Sequence, residues 1–107
     1  MQTTIAKEQK LVTLINVFAV EPMHQQELVD LLVEATEKVM RHIPGFISAN
    51  IHKSFDGTKV VNYAQWQSRE AFEAMLRNEE AKPHMAKAER IAKPEPHLYE
   101  VSYVDHK

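Results

Sequence analysis

The chain has 107 residues, enough for one domain of ordinary size, and its 44% hydrophobic and 26% charged content is that of a soluble globular protein. With 13 Lys+Arg against 15 Asp+Glu, the net charge of −2 supplies no concentrated basic surface, so neither nucleic acid nor an anionic membrane is an expected partner. The absence of cysteine excludes disulfides, thiol catalysis and zinc–thiolate sites.

Residues 1–10 lack the apolar run of a signal peptide and read as a flexible N-terminal arm; residues 11–107 read as a single domain. No window approaches the roughly 18 apolar residues of a membrane span, and the expected location is the cytoplasm. Residues 11–20 (LVTLINVFAV) are β-branched and mostly apolar, as in a strand covered on both faces. Pro22 then opens one long helical pattern. Leu28, Leu31, Leu32, Ala35, Val39 and Ile43 keep its 3.6 period, and Glu34–Lys38 and Glu37–Arg41 are spaced as i,i+4 ion pairs. Pro44-Gly45 ends it.

Phe46–Phe55 and Thr58–Gln67 are β-prone runs around Asp56-Gly57, which predicts a hairpin with a two-residue type I′ turn. Ser68 is a good N-cap, and Phe72, Met75 and Leu76 make an apolar stripe behind it. Pro83 predicts two helical pieces, 69–77 and 81–92, which Pro94 and Pro96 end. His97–Val104 is the predicted final strand. The order βαββαβ predicts an α+β, ferredoxin-like domain with a four-stranded antiparallel sheet and its helices on one face.

A two-residue turn pairs Phe55 with Thr58 and fixes the rest of the register. Ile51 then faces Asn62, Ala49 faces Ala64 and Ile47 faces Trp66, all on the more apolar, helix-covered face. Phe46, Ser48, Asn50 and His52 fall on the other face with Val61, Tyr63, Gln65 and Gln67. That mixed face is expected to pack against a second subunit as a homodimer. On the first face, Asn62 and Trp66 flank two alanines, Ala49 and Ala64. An amide and an indole around a small-residue gap line a flat, mostly apolar slot suited to an oxygen-bearing aromatic ligand. The plainer reading is that Asn62 bonds to backbone and Trp66 fills core.

The six histidines show no metal-ligand spacing, and Gly45 and Gly57 are the only glycines, so no Gly-rich phosphate loop exists. No metal, flavin or nucleotide is therefore expected. His84, after Pro83, is positioned to roof the slot, or else simply to start a helix. Met75 and Met85 sit at helical spacing as core or lining.

The stretch from Pro44 to Phe72, with Pro-Gly-Phe, Asp-Gly and Asn-Tyr-Ala-Gln-Trp at matching spacing, resembles the antibiotic biosynthesis monooxygenase family. It is most similar to the branch that oxidises aromatic polyketides to quinones without a cofactor. The resemblance implies a dimeric α+β barrel with a pocket between sheet and helices, in which Asn62 and Trp66 contact substrate. That branch carries tyrosines where this chain has Ile51 and Phe72, and an arginine where it has Ala86. A haem-degrading branch matches less well. Asn16 fits its first-strand asparagine, while Met75 and Met85 replace its tryptophan and histidine.

The sequence thus predicts a monooxygenase that converts a small phenol, hydroquinone or anthrone to a quinone with O2. Asn62 and Trp66 are the expected catalytic residues, and Ile51, Phe72, Ala49, Ala64, Met75 and His84 the substrate-binding ones. The competing expectation is a non-catalytic dimeric module of the same fold that binds a small molecule. The missing hydroxyls at 51 and 72 favour the module; the Asn-x-x-x-Trp pair favours the enzyme.

Overall fold

A computed structural model describes residues 2–107. Strands β1 (Val12–Val20), β2 (Phe46–Lys53), β3 (Lys59–Trp66) and β4 (Ala92–Tyr99) form one antiparallel sheet in the order β2-β3-β1-β4. Helices α1 (Gln25–Lys38), α2 (Arg69–Leu76) and α3 (Ala81–Glu89) bring their apolar stripes to the sheet face that carries Leu14, Phe18, Val60, Ala64 and Trp66. The α+β, ferredoxin-like architecture is therefore present. Among the described residues, no helix is long and apolar enough to cross a membrane.

The single helix expected over 22–43 is three segments. Pro22–His24 is one 3-10 turn, and a second covers Met40–His42. Between them α1 stops at Lys38, because Val39 leaves helical angles at φ −127° and ψ −62°. The break turns both Val39 and Ile43 into the core. Glu34–Lys38 pairs at 3.1 Å, whereas Glu37–Arg41 forms no salt bridge, since Arg41 lies beyond the break. The Lys38 ammonium beside Glu34 holds that carboxyl below its ordinary range, with smaller contributions from Lys87 and His84 across the helix pair.

The hairpin register matches the expectation, with Ile51 opposite Asn62 and Ala49 opposite Ala64, but its turn does not. Ser54 N–H donates to the Lys59 carbonyl, so four residues form the loop, and Gly57 alone has positive φ, at 81°. Asp56 makes this longer turn: its Oδ1 accepts from Thr58 N–H, Thr58 Oγ1 and Ser54 Oγ. Lengthening the loop by one residue on each strand keeps every cross-strand pair in place, which is why the register survives.

At the other end of β2 a bulge intervenes. Phe46 pairs with Trp66 and Ser48 with Gln65, so the expected Ile47–Trp66 pair does not form and Ile47 is left as the extra residue, 40% exposed. Phe46 therefore moves to the helix side, against Trp66, and leaves the outer face where the alternation had put it. The final strand also departs from expectation. β4 begins at Ala92 and contains Pro94 and Pro96, opposite Phe18 and Asn16. Both prolines occupy an edge strand, at alternate positions that need no N–H toward β1. α3 accordingly ends at Glu89, three residues earlier than expected. Pro83 lies in its first turn, and the chain breaks instead at Asn78, whose Oδ1 accepts from Glu80 and Ala81 N–H.

On the outer face the N-terminal arm reaches the sheet. Asn50 Nδ2 donates to Thr3 Oγ1 at 2.6 Å, and Gln65 Nε2 to the Thr4 carbonyl at 2.7 Å. Thr13 and Gln65 are buried there.

Two outcomes test this fold. Gly45 has φ +92°, and a Cβ added to it runs into the Ala71 side chain on α2. Gly45→Ala combines backbone strain with overpacking and should lower unfolding free energy by roughly 2–4 kcal/mol in urea denaturation. Three hydrogen bonds hold the Asp56 carboxyl at about 2, below its ordinary 3.8. The turn's contribution to stability is thus complete above about pH 4 and lost as pH falls through about 2; carboxyl NMR titration of Asp56 against Asn controls at the same site reads it directly.

Candidate active site

The sheet alternation explains where the site lies. On the helix-facing side, Leu14, Asn16 and Phe18 of β1 lie beside Ala64, Asn62 and Val60 of β3. The amides of Asn16 and Asn62 are direct cross-strand partners, and Ile51 and Pro96 continue their row on the flanking strands. This row interrupts the apolar face. One core cluster, built on Leu14, Ala64, Trp66, Phe72 and Met75, lies on one side of it. The other, built on Phe18, Leu28, Val60 and Ala88, lies on the opposite side.

Between the clusters is a cavity of about 260 Å³. Its floor is the sheet and its walls come from all three helices and β4. The small side chains of Ala49 and Ala64 leave the space; larger ones there would close it. A cavity near the lower end of the ~300–1,000 Å³ usual for ligand sites admits a compact, planar molecule.

Two of its lining residues each carry a buried polar atom with no protein partner. Asn62 Oδ1 and Trp66 Nε1 are buried and make no hydrogen bond among the described residues. Leaving such an atom unpaired costs on the order of 1–3 kcal/mol, a cost the folded chain carries at both positions. The plainer reading of Asn62 as a backbone-bonded amide does not hold. Trp66 is only 2% exposed and its ring is fixed edge-on by Phe46 at 5.5 Å and Phe72 at 6.3 Å. Asn16 differs from Asn62: its Oδ1 accepts from Glu95 N–H at 3.1 Å. With that oxygen engaged, the amide nitrogen is the polar atom it has left for the cavity.

Of the residues expected at the site, Asn62, Trp66, Ala49, Ala64, Phe72 and Met75 all line the cavity. Ile51 and His84 do not. Ile51 shares the face of Asn62 but packs into the second cluster with Val29 and Leu32 of α1. His84, on α3, is not among the lining residues. The sequence reading missed Phe46, Thr36, Met40 and Glu89 as lining residues. Phe46 was hidden by the bulge. Glu89 follows Met85 by four residues within the predicted 81–92 helix, so its signal was already present in the sequence.

Comparison with known proteins agrees with this geometry. Residues 11–87 match the family described as antibiotic biosynthesis monooxygenase. Tetracenomycin-F1 monooxygenase of Streptomyces glaucescens is 46% identical over 100 residues, spanning 94% of this chain and 89% of that protein. The monooxygenase from the gene ActVA-Orf6 of Streptomyces coelicolor, solved in complex with nanaomycin D, is 30% identical with a TM-score of 0.73, over 91% of this chain and 92% of that one. SnoaB, a cofactor-independent oxygenase from Streptomyces nogalater, has a TM-score of 0.71 at 21% identity, over 90% of this chain and 97% of that one, a likeness of fold. The chain belongs to the antibiotic biosynthesis monooxygenase family and, as a member of it, is an oxidoreductase.

Proposed function

We propose that the chain is a monooxygenase of aromatic polyketide biosynthesis that oxidises a phenol, hydroquinone or anthrone to a quinone with O2 and no cofactor. The observation that carries this reading is a mostly apolar cavity lined by an amide and an indole, Asn62 and Trp66, each with a buried polar atom that no protein group satisfies. An aromatic ring carrying oxygens fills such a site and satisfies both atoms. The 46% identity to tetracenomycin-F1 monooxygenase supports the same substrate class.

The chemistry needs little from the protein beyond environment. An anthrone that has lost its acidic proton is an electron-rich enolate. It passes one electron to O2, and the resulting radical and superoxide combine into a carbon–oxygen bond. The peroxide takes up a proton and expels water, leaving a carbonyl where the methylene stood. In sum, the methylene carbon and one molecule of dioxygen give a ketone carbonyl and one molecule of water, with one oxygen atom in each product.

The enolate oxygen is where charge resides before electron transfer. Trp66 Nε1–H donates to it, and the Asn62 amide, by turning its nitrogen inward, supplies a second donor. Donors fixed in advance in a dry site stabilise such charge more than water does. Phe72, Met75, Ala49 and Ala64 shape the slot around the ring. Phe72 contributes a ring but no hydroxyl, so orientation falls on Asn62 and Trp66.

Asn62→Leu keeps the number and branching of the side-chain heavy atoms and removes the amide. Oxygen-electrode assays with a dihydroxyanthrone should show kcat/KM reduced by roughly 10²-fold, the effect of one oxyanion donor. Because the amide is unpartnered, the melting temperature of this variant should stay level or rise. An unchanged rate, or loss of rate only through unfolding, would overturn the role.

We further propose a homodimer through the outer sheet face. The arm covers its Thr13/Gln65 end, while Ile15, Val17, Val61 and Tyr63 remain half-buried in one chain and available to a second. Sedimentation at micromolar concentration should give twice the 12.4 kDa chain mass; a monomer would refute the assignment.

A further inference from the structure

Methionines from three different elements line the same cavity. Met40 comes from the 3-10 turn after α1, Met75 from α2 and Met85 from α3. Met75 is buried, and Met40 and Met85 are partly buried against the core cluster that contains it. Of the four methionines among the described residues, only Met23 lies elsewhere, on the surface at 79% exposure. Adaptable packing is one use of methionine. Leucine fills the same wall at positions 14, 32, 76 and 98, however, and brings no oxidisable atom. The chain has no cysteine, so thioether sulfur is the atom of this cavity that a peroxide oxidises first.

We propose that Met40, Met75 and Met85 form a modification site that takes an oxygen atom from an aromatic hydroperoxide held in the cavity and becomes methionine sulfoxide. The natural source of that peroxide rests on the monooxygenase reading above, in which a substrate peroxide stands in this cavity before it expels water. A sulfur lone pair attacks the outer peroxide oxygen and forms the S–O bond as the O–O bond breaks. The proton on that oxygen passes to the departing alkoxide. One thioether and one hydroperoxide thus give one sulfoxide and one alcohol, the sulfur losing two electrons and the peroxide gaining them. The sulfoxide places a polar oxygen in an apolar slot, so each modification narrows the cavity and slows the next substrate. A stray reaction of the peroxide then limits the number of turnovers.

The test treats the protein with cumene hydroperoxide, a compact aromatic, or with hydrogen peroxide, and reads sulfoxide at each methionine by peptide mass spectrometry. Met23 is the internal reference. Cumene hydroperoxide should oxidise the three cavity methionines about 10-fold faster than Met23, because a reagent held beside the sulfur gains effective concentration. Hydrogen peroxide, which an apolar cavity does not retain, should reach the exposed Met23 first. Adding 1,8-dihydroxyanthraquinone to occupy the cavity should protect the three and leave Met23 unaffected. Cavity methionines that react no faster than Met23 with cumene hydroperoxide, or that the anthraquinone does not protect, would overturn the proposal. With 1,8-dihydroxyanthrone, O2 and catalase, sulfoxide should accumulate in the cavity as O2 is consumed; turnover without it would also overturn the proposal and leave the monooxygenase reading standing. If the anthrone is not oxidised, that reading falls, and the cumene hydroperoxide result alone decides the modification site.

Discussion

The row of amides across the middle of the sheet governs the rest of this molecule. A sheet face covered by three helices is ordinarily apolar throughout, because burying an unpaired amide there costs on the order of 1–3 kcal/mol. Here Asn16 and Asn62 stand side by side at its centre, and the core packs as two clusters on either side of them. The gap between those clusters is the cavity. Function and packing therefore conflict at the same sheet positions, and the fold accommodates the conflict by leaving space where a tighter core would have put leucine or valine.

The surrounding architecture holds that space open. Gly45, at φ +92° against α2, lets the chain turn closely enough for Phe46 to reach Trp66. The bulge at Ile47 gives Phe46 the required direction, and Phe72 clamps the indole from the helix side. Ser68 accepts from Ala71 N–H and fixes where α2 begins, which in turn places Phe72 and Met75. A tryptophan packed on both edges has a fixed N–H direction, so a donor is aimed before any substrate arrives. Asn62 has no such clamp on its amide, which leaves it free to present oxygen or nitrogen. One rigid and one adaptable polar group suit a reaction in which a hydroxyl becomes an oxyanion and then a carbonyl.

Charge is distributed in keeping with this. The cations of α1 and α3 are turned away from the cavity, with Lys38 at Glu34 and Lys87 and His84 close to the same carboxyl. The interior wall is left to methionines, aromatics and alanines, with Glu89 at its edge. Stabilisation of a developing negative charge then falls to neutral hydrogen-bond donors, and a neutral donor does not trap an anionic intermediate as a lysine or arginine would.

The amino-acid sequence by itself determined the order of elements, the β2–β3 pairing and the face shared by Asn62, Ala64, Ala49 and Trp66. These follow from local rules: a period of 2 or 3.6, an Asp-Gly turn, a serine cap. From Ala49 to Lys53 the pairing survived an incorrect turn type, because adding one loop residue to each strand preserves every opposite pair. Tertiary structure alone decided the rest. Whether the chain bulges at Ile47 depends on the apolar surface available to Phe46 beside Trp66, and no window of neighbouring residues contains that information. Pro94 and Pro96 read as helix terminators locally; they are strand residues because β4 lies at an edge, where a missing N–H is tolerated. Ile51 was drawn into the second core cluster, His84 was left outside the lining, and Glu89 entered it at the end of α3. That three buried side-chain atoms, Thr13 Oγ1, Asn62 Oδ1 and Trp66 Nε1, lack partners is likewise a tertiary fact, since a partner can come from anywhere in the chain and only the assembled fold shows that none does among the described residues.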